Sequence, residues 1–253
     1  MAKNQCTLIV RNIQILKGDL IYLDLEGPLF AAGRPQPGQF VEVAVDKAKV
    51  LLNRPFSIYN ATENSLELLV KPLGRASEAL STYVPGDSIR VIGAMGNGFP
   101  SDVQGKRILL VGGGIGIAPM RYYAIDALAK GAQVEMLFGN QTDPDQTLVD
   151  ILSQTCPLHL CTDDGSRGHH GFVSTHTALT ERPWDMIAVC GPTPMMKAVA
   201  AIARTRNIPC FVSLENTMAC GLGACLCCVE PTTTGNRCVC TDGPVFNIDE
   251  LTW

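Results

Sequence analysis

The sequence predicts a multi-domain β + α/β protein: an antiparallel β-barrel, a parallel-sheet α/β domain, and a small cysteine-rich domain at the C-terminus. Three observations predict it. Short strands of period-two alternation, broken by turn residues, run to about residue 100. Near Lys106 the texture switches to continuous apolar strands alternating with helical stretches. After Leu214 regular periodicity stops, and cysteine and glycine take over. The divisions fall at 1–101, 102–214 and 215–253.

In the first region Gln39-Phe40-Val41-Glu42-Val43-Ala44-Val45 and Ser65-Leu66-Glu67-Leu68-Leu69-Val70-Lys71 alternate as half-buried strands do. Gly33, Pro35, Pro37 and Gly38, and later Pro85-Gly86-Asp87, punctuate them. Strands without intervening helices imply a small barrel. Residues 97–101, Asn-Gly-Phe-Pro-Ser, read as the linker. Arg107-Ile108-Leu109-Leu110-Val111 then forms a buried strand that ends in glycines. The following helix is expected to open with Pro119 at its first position, carry Met120, Tyr123, Ala124, Ala127 and Leu128 on one face, and stop at Gly131. Further strands are expected at 134–138, 158–161, 186–190 and 211–214, giving a parallel sheet covered on both faces.

Composition narrows the function classes. The 253-residue chain is 46% hydrophobic with a net charge of −4, so it forms a core and lacks the basic surface that a nucleic acid partner requires. No run approaches the roughly 18 apolar residues of a membrane span. The N-terminal run Met1-Ala2-Lys3-Asn4-Gln5-Cys6 is polar, without the apolar core of a secretion signal. A cytoplasmic enzyme or enzyme subunit, with no membrane or nucleic acid partner, is the expectation.

Eleven cysteines are unevenly placed: Cys220, Cys225, Cys227, Cys228, Cys238 and Cys240 crowd into 21 residues. In a reducing compartment such crowding points to metal binding before disulfides. Cys220-x4-Cys225-x2-Cys228 with Cys240 downstream fits the plant-type [2Fe–2S] spacing. One loop supplies three thiolates, and a distant fourth closes the far iron. Gly221 and Gly223 let backbone N–H groups approach the sulfurs. Structural zinc on Cys225-x2-Cys228 and Cys238-x-Cys240 is the alternative, but it leaves the glycine-threaded gap unexplained. Spacing alone does not separate Cys228 from Cys227, or Cys240 from Cys238.

Gly112-Gly113-Gly114-Ile115-Gly116 joins a buried strand to a helix, a geometry that holds pyrophosphate on backbone N–H groups. It departs from the strict dinucleotide fingerprint, since Ile117 stands where a third glycine is usual. Cys190-Gly191-Pro192-Thr193-Pro194-Met195 ends another strand on the ligand-binding edge of such sheets. A cysteine there is either a core residue or a contact for a nicotinamide ring. In the barrel, Arg54-Pro55-Phe56-Ser57 is either a solvated charge in a strand or a phosphate partner followed by a hydroxyl near a flavin nitrogen. Gly74-Arg75-Ala76-Ser77 offers further phosphate contacts.

In this order the motifs resemble the ferredoxin–NAD(P)H reductase superfamily along nearly the whole chain. Its members join an FAD barrel carrying R-x-[YF]-S to an NAD(P) domain carrying a glycine loop and C-G-P-x-x-M. The block Leu214-Glu215-Asn216-Thr217-Met218-Ala219-Cys220-Gly221-Leu222-Gly223-Ala224-Cys225, with Cys240-Thr241-Asp242-Gly243-Pro244-Val245-Phe246, resembles the electron-transfer subunits of class B dihydroorotate dehydrogenases. That resemblance implies cluster ligation by Cys220, Cys225, Cys228 and Cys240. It implies FAD contacts from Arg54, Pro55, Phe56 and Ser57, from Leu69, Val70 and Lys71, and from Gly74, Ala76 and Ser77. It implies NAD(H), as co-substrate, at Gly112, Gly113, Gly114 and Gly116 and at Cys190, Gly191, Pro192 and Met195. Ala76 and Ser77 depart from the family's G-x-G-T turn, and alanine resists the positive φ that glycine takes there.

The resemblance further implies a relay in which FMN of a dihydroorotate dehydrogenase catalytic subunit feeds [2Fe–2S], FAD and NAD⁺ in pyrimidine (UMP) biosynthesis. A heterotetramer with two of each subunit is the implied assembly. No side chain of this chain is expected to act as a catalytic acid or base. Hydrogenase-type and NADH-dependent ferredoxin–NADP reductase-type subunits share these sites and form the alternative, and a zinc-stabilised binding module is a third reading. The absence of arginine at Gly139-Asn140-Gln141 favours NAD over NADP.

Overall fold

Alternation in the first region folds as a closed antiparallel barrel. Its strands are β1 (Asn4–Ile15), β2 (Ile21–Glu26), β3 (Phe40–Ala44), β4 (Arg54–Ala61), β5 (Ser65–Val70) and β6 (Ser88–Met95), in spatial order β1-β2-β5-β4-β3-β6. The computed structural model describes residues 4–30 and 33–253, so Met1, Ala2 and Lys3 of the polar N-terminal run lie outside the described residues. Inward side chains such as Leu23, Leu25, Val43, Leu66, Leu68 and Val91 fill the barrel and are 0% exposed. Each such side chain contributes about 1.5–3 kcal/mol by leaving water.

The outer face explains where period-two alternation breaks down. Tyr59 and Leu69 point out of the barrel, yet both are buried against the next domain. All of β3 is buried, including Glu42, because the cysteine loop covers its outside, with Gly221 against the Glu42 carboxylate. After β5 comes the short helix α1 (Arg75–Ala79).

The α/β domain contains β7 (Arg107–Gly113), α2 (Ile117–Ala129), β8 (Gln133–Asn140), α3 (Gln146–Thr155), β9 (Leu158–Thr162), β10 (His169–His170), α4 (Thr177–Thr180), β11 (Met186–Cys190), α5 (Thr193–Thr205) and β12 (Cys210–Ser213). Helix α2 begins at Ile117, so Pro119 stands third in the helix and not first. The first turn still tolerates it, because its N–H would have no intrahelical acceptor. Gly131 follows the helix with φ +83, as a chain leaving a helix favours.

The cysteine-rich segment is less irregular than its sequence suggests. It contains β13 (Val229–Thr232), β14 (Gly235–Cys238) and β15 (Val245–Asn247). In the polar run Pro231-Thr232-Thr233-Thr234-Gly235-Asn236, Pro231 pairs with Asn236 and Thr232 with Gly235, so Thr233 and Thr234 form the turn of the β13–β14 hairpin. Strand β15 adds antiparallel to β12 and completes a seven-stranded sheet ordered β10-β9-β8-β7-β11-β12-β15. Its two faces hold separate buried clusters, one against α2 and α3 and one against α4 and α5.

Chain order reverses across β7: one run of strands builds outward through β8 and β9, the other through β11 and β12. The C-terminal ends of β7 and β11 therefore flank the crevice where such sheets bind ligands. The 97–101 connection is anchored at several points. Phe99 stacks on Tyr123 with ring centroids 4.6 Å apart, and Asn97 Nδ2 donates to Asp242 O at 2.8 Å. No helix among the described residues is long and apolar enough to cross a membrane.

Candidate functional site

The cysteine loop is shaped by backbone turns that few side chains tolerate. Gly221 (φ +55) and Gly223 (φ +76) lie in the left-handed region, and Leu226 (φ +58) joins them. The turns aim N–H groups at sulfur. Leu222 and Cys225 N–H donate to Cys220 Sγ at 3.3 and 3.4 Å, and Gly223 N–H donates to Cys240 Sγ at 3.2 Å. Cys240 N–H donates to Cys228 Sγ at 3.4 Å. Such donors stabilise thiolate and sulfide charge.

Side-chain contacts join Cys220 and Cys227 to Cys225, and Cys238 and Cys240 to Cys228. Among the described residues no three His, Cys, Asp or Glu side chains converge on a single-ion position. The N–H donors of Cys225 and Leu222 pull the Cys220 thiol down to about 6, whereas burial pushes Cys240 up to about 12. Cys227 is raised, mainly by its contact with Cys225, and Cys238 is raised by burial. Cys238 Sγ faces the Gly223 carbonyl at 3.8 Å and receives none of these N–H donors. Cys225, Leu222 and Leu226 are exposed, so the loop reaches the surface.

A cleft of ≈ 240 Å³ opens beside this loop. Pro55, Phe56 and Ser57 of β4 line it, with Leu69, Val70 and Lys71 at the end of β5. Across from them stand Ile115 of the glycine turn and Ala118 of α2, then Glu215, Asn216 and Met218 leading into the cysteines. Residues that the sequence assigns separately to three domains thus share one cavity. Its size and mixed lining suit the reactive end of a planar cofactor.

Other expected flavin contacts stand outside the cleft. The Arg54 guanidinium donates to the carbonyls of Leu52 (2.7 Å) and Asn53 (3.2 Å). Ala76 lies inside α1, so the positive φ expected at that turn is not needed. Ser77 Oγ accepts from Leu73 N–H at 2.9 Å and donates to Gly74 O at 3.0 Å, which pins the turn before α1.

The glycine turn and the Cys190–Met195 turn pack directly on each other. A Cβ on Gly113 would overlap Met195 Sδ, and one on Gly116 would overlap the Cys190 carbonyl. A Cβ on Gly191 would come within 2.8 Å of Met195 Cε. Only Gly114, with φ +53 and no atom within 4 Å of a Cβ, faces open space. Pro192 is exposed at the start of α5. Cys190 is fully buried, and its thiol donates to Glu215 Oε1 at 3.6 Å.

Sequence reasoning missed several residues. Glu215 lines the cleft with part of its side chain exposed, and partial desolvation raises its carboxyl above the ordinary range. Ile115, Asn216 and Met218 also line the cavity without any composition signal. Strand β8 ends in Gly139 and Asn140, where nucleotide-binding sheets usually carry a ribose-binding acidic residue, but two acidic residues stand at the same edge: Asp163 N–H donates to Asn140 O at 3.0 Å, and Asp164 N–H to Gln141 O at 3.2 Å. Only their position after a sheet strand could have drawn notice to them.

Comparison with known proteins agrees with this geometry. The family model for the iron–sulfur cluster binding domain of dihydroorotate dehydrogenase B matches residues 215–252, and an oxidoreductase NAD-binding domain matches 110–201. The electron transfer subunit of dihydroorotate dehydrogenase B (NAD(+)) from Shouchella clausii is 37% identical, covering 99% of both chains. The protein of the same name from Clostridium acetobutylicum is 37% identical over 85% of this chain and 86% of its own. Among solved structures, an NADH-dependent reduced ferredoxin-NADP oxidoreductase superposes with TM-score 0.82 at 28% identity, covering 100% of this chain and 92% of that one. A ferredoxin reductase of carbazole 1,9a-dioxygenase, 22% identical with TM-score 0.69 over 83% of this chain and 68% of its own, shares the fold.

Proposed function

The chain belongs to the family of dihydroorotate dehydrogenase B electron transfer subunits, and from that membership we propose how its residues divide the work. It is the NAD-linked flavin and iron–sulfur oxidoreductase subunit of that enzyme, passing electrons from dihydroorotate oxidation to NAD⁺. FAD bound in the cleft would supply the conversion between one hydride, exchanged with nicotinamide, and single electrons, exchanged with a [2Fe–2S] cluster. The observation that carries the reading is the shared cleft: Ser57, Ile115 and Met218 line it together, and Met218 is two residues from Cys220.

In our assignment Cys220, Cys225, Cys228 and Cys240 hold the cluster, and their N–H donors offset its negative charge. Ser57 and the walls from β4 and β5 hold the flavin ring. The packed turns at Gly113, Gly116 and Cys190 set the floor on which nicotinamide lies, with Glu215 beside it. We assign no side chain of this chain as a catalytic acid or base: two single electrons from the cluster would become a hydride only with one proton taken up by the flavin, and solvent water would supply it. Its side chains position, exclude water and tune potentials. The domain divisions at 101/102 and 214/215 belong to the same assignment.

The name of the relatives implies a catalytic partner subunit. We assign that partner FMN, a two-plus-two assembly with this chain, and a place in the cytoplasm. The 37% relatives all carry the dihydroorotate dehydrogenase name, so the hydrogenase and ferredoxin–NADP alternatives are not favoured. The purified chain alone is expected to reduce an artificial dye with NADH but not to oxidise dihydroorotate. Dihydroorotate turnover by the isolated chain would contradict the division of labour.

A further inference from the structure

The cleft wall opposite the flavin strands carries a polar side chain that the electron-transfer reading leaves unused. Asn216 lines the cleft with Glu215 and Met218, in the irregular segment before the cysteines. Its Nδ2 donates to Glu230 Oε2 of β13 at 2.9 Å. Glu230 Oε1 accepts from Trp253 Nε1–H at 3.2 Å. Trp253 is itself held. It packs on the buried cluster of α4 and α5, its carbonyl accepts from Arg204 Nη1 at 2.8 Å, and Lys197 Nζ lies 5.4 Å from its ring centroid.

These contacts orient the Asn216 amide. A side-chain amide has one donating end and one accepting end, and Glu230 takes the donating end. The accepting end, Oδ1, has no hydrogen-bond partner among the described residues, and it is not among the polar atoms closed off from solvent. A fixed, unpaired and reachable amide oxygen at a cavity wall selects a ligand group that carries an N–H. A carbonyl or carboxylate brought there would meet it oxygen to oxygen.

Hydride transfer requires nicotinamide and flavin to stack with reacting atoms about 3–3.5 Å apart, so both rings share the cleft. With flavin on the wall of β4 and β5, nicotinamide meets the other wall, which includes Ile115, Glu215 and Asn216. The only N–H donors of the nicotinamide group are those of its carboxamide. We propose that Asn216 Oδ1 accepts a hydrogen bond from the nicotinamide carboxamide, and that Glu230 is the positioning residue that holds the amide in that sense. The inference deepens the electron-transfer reading and rests on its placement of nicotinamide in the cleft.

The analogue 3-acetylpyridine adenine dinucleotide puts a methyl in place of the carboxamide NH2 and keeps the carbonyl, so it removes the donor alone. Calorimetric titration of the full, oxidised, FAD- and cluster-loaded chain with NAD⁺ and with the analogue gives the ratio of their dissociation constants. The wild type is expected to bind NAD⁺ about fivefold to tenfold more tightly, as one neutral hydrogen bond allows. In Asn216→Ala the two dinucleotides should bind within about twofold of each other, because the removed donor has no acceptor to miss. Glu230→Ala, which frees the amide to turn its Nδ2 towards the cleft, should lower the ratio as well. Each ratio is taken on one preparation, so lost stability in a variant does not mimic the effect. A wild type that does not distinguish the two dinucleotides, or an Asn216→Ala chain that keeps the wild-type ratio, would overturn the role of Oδ1. An unchanged ratio in Glu230→Ala would overturn the positioning role. Binding of neither dinucleotide by the wild type would overturn the placement of nicotinamide itself, and this inference with it.

Discussion

Cys240→Ala is expected to strip the cluster: iron falls from two atoms per chain to near zero, and the brown absorbance is lost. In the assembled enzyme, dihydroorotate-to-NAD⁺ turnover should fall by two orders of magnitude or more. NADH–dye reduction should persist, because flavin and nucleotide bind elsewhere. Cys238→Ala should change neither iron content nor turnover. The contrast rests on the N–H donors: Gly223 aims at Cys240 Sγ, whereas Cys238 Sγ faces a carbonyl that offers no proton. Iron analysis of the two variants checks the choice between neighbouring cysteines, and loss of iron from Cys238→Ala would reverse it.

Gly116→Val is the second large effect. The backbone at Gly116 is ordinary helical (φ −62), so any penalty comes from space and not from strain. Its Cβ would overlap the Cys190 carbonyl carbon and oxygen, and backbone atoms cannot swing aside. The variant must separate the glycine turn from the Cys190 turn, at a cost of about 1–3 kcal/mol in stability. The KM for NADH should rise about tenfold or more. Gly114→Ala is the control: it meets no neighbour but strains a φ of +53, so it should cost about 1–2 kcal/mol and leave the two turns in contact. Denaturant titration and NADH kinetics read both variants, and equal KM values for the two would contradict the packing argument.

The glycine turn was legible in the sequence as a feature, though its glycines serve partly another purpose. Spacing reads as a phosphate cradle, yet Gly113, Gly116 and Gly191 are needed for the close contact of two turns far apart in the chain. Ala76 looked like a departure because a turn was assumed where the chain starts a helix. Barrel strands showed themselves by alternation except where α2 covers Tyr59 and Leu69, since a face buried from outside loses its polar half. Strand β15 is three residues long and exists only because β12 offers it an edge. Glu215, Asn216 and Met218 stand in the block that carries the resemblance, but nothing in it assigned them to a cavity: they enter the cleft from an irregular segment whose path only tertiary contact determines. The cysteine spacing, by contrast, carried its chemistry openly, since ligand geometry restricts where thiolates stand in a loop.

The most direct test mixes the complete two-subunit enzyme with dihydroorotate under anaerobic conditions and follows flavin and cluster absorbance by stopped flow, with NAD⁺ added second. Both absorbances should bleach before NAD⁺ arrives and recover as NADH forms, and the Cys240→Ala enzyme should form NADH at a small fraction of that rate. NADH appearing at the wild-type rate from the cluster-free enzyme would contradict the account.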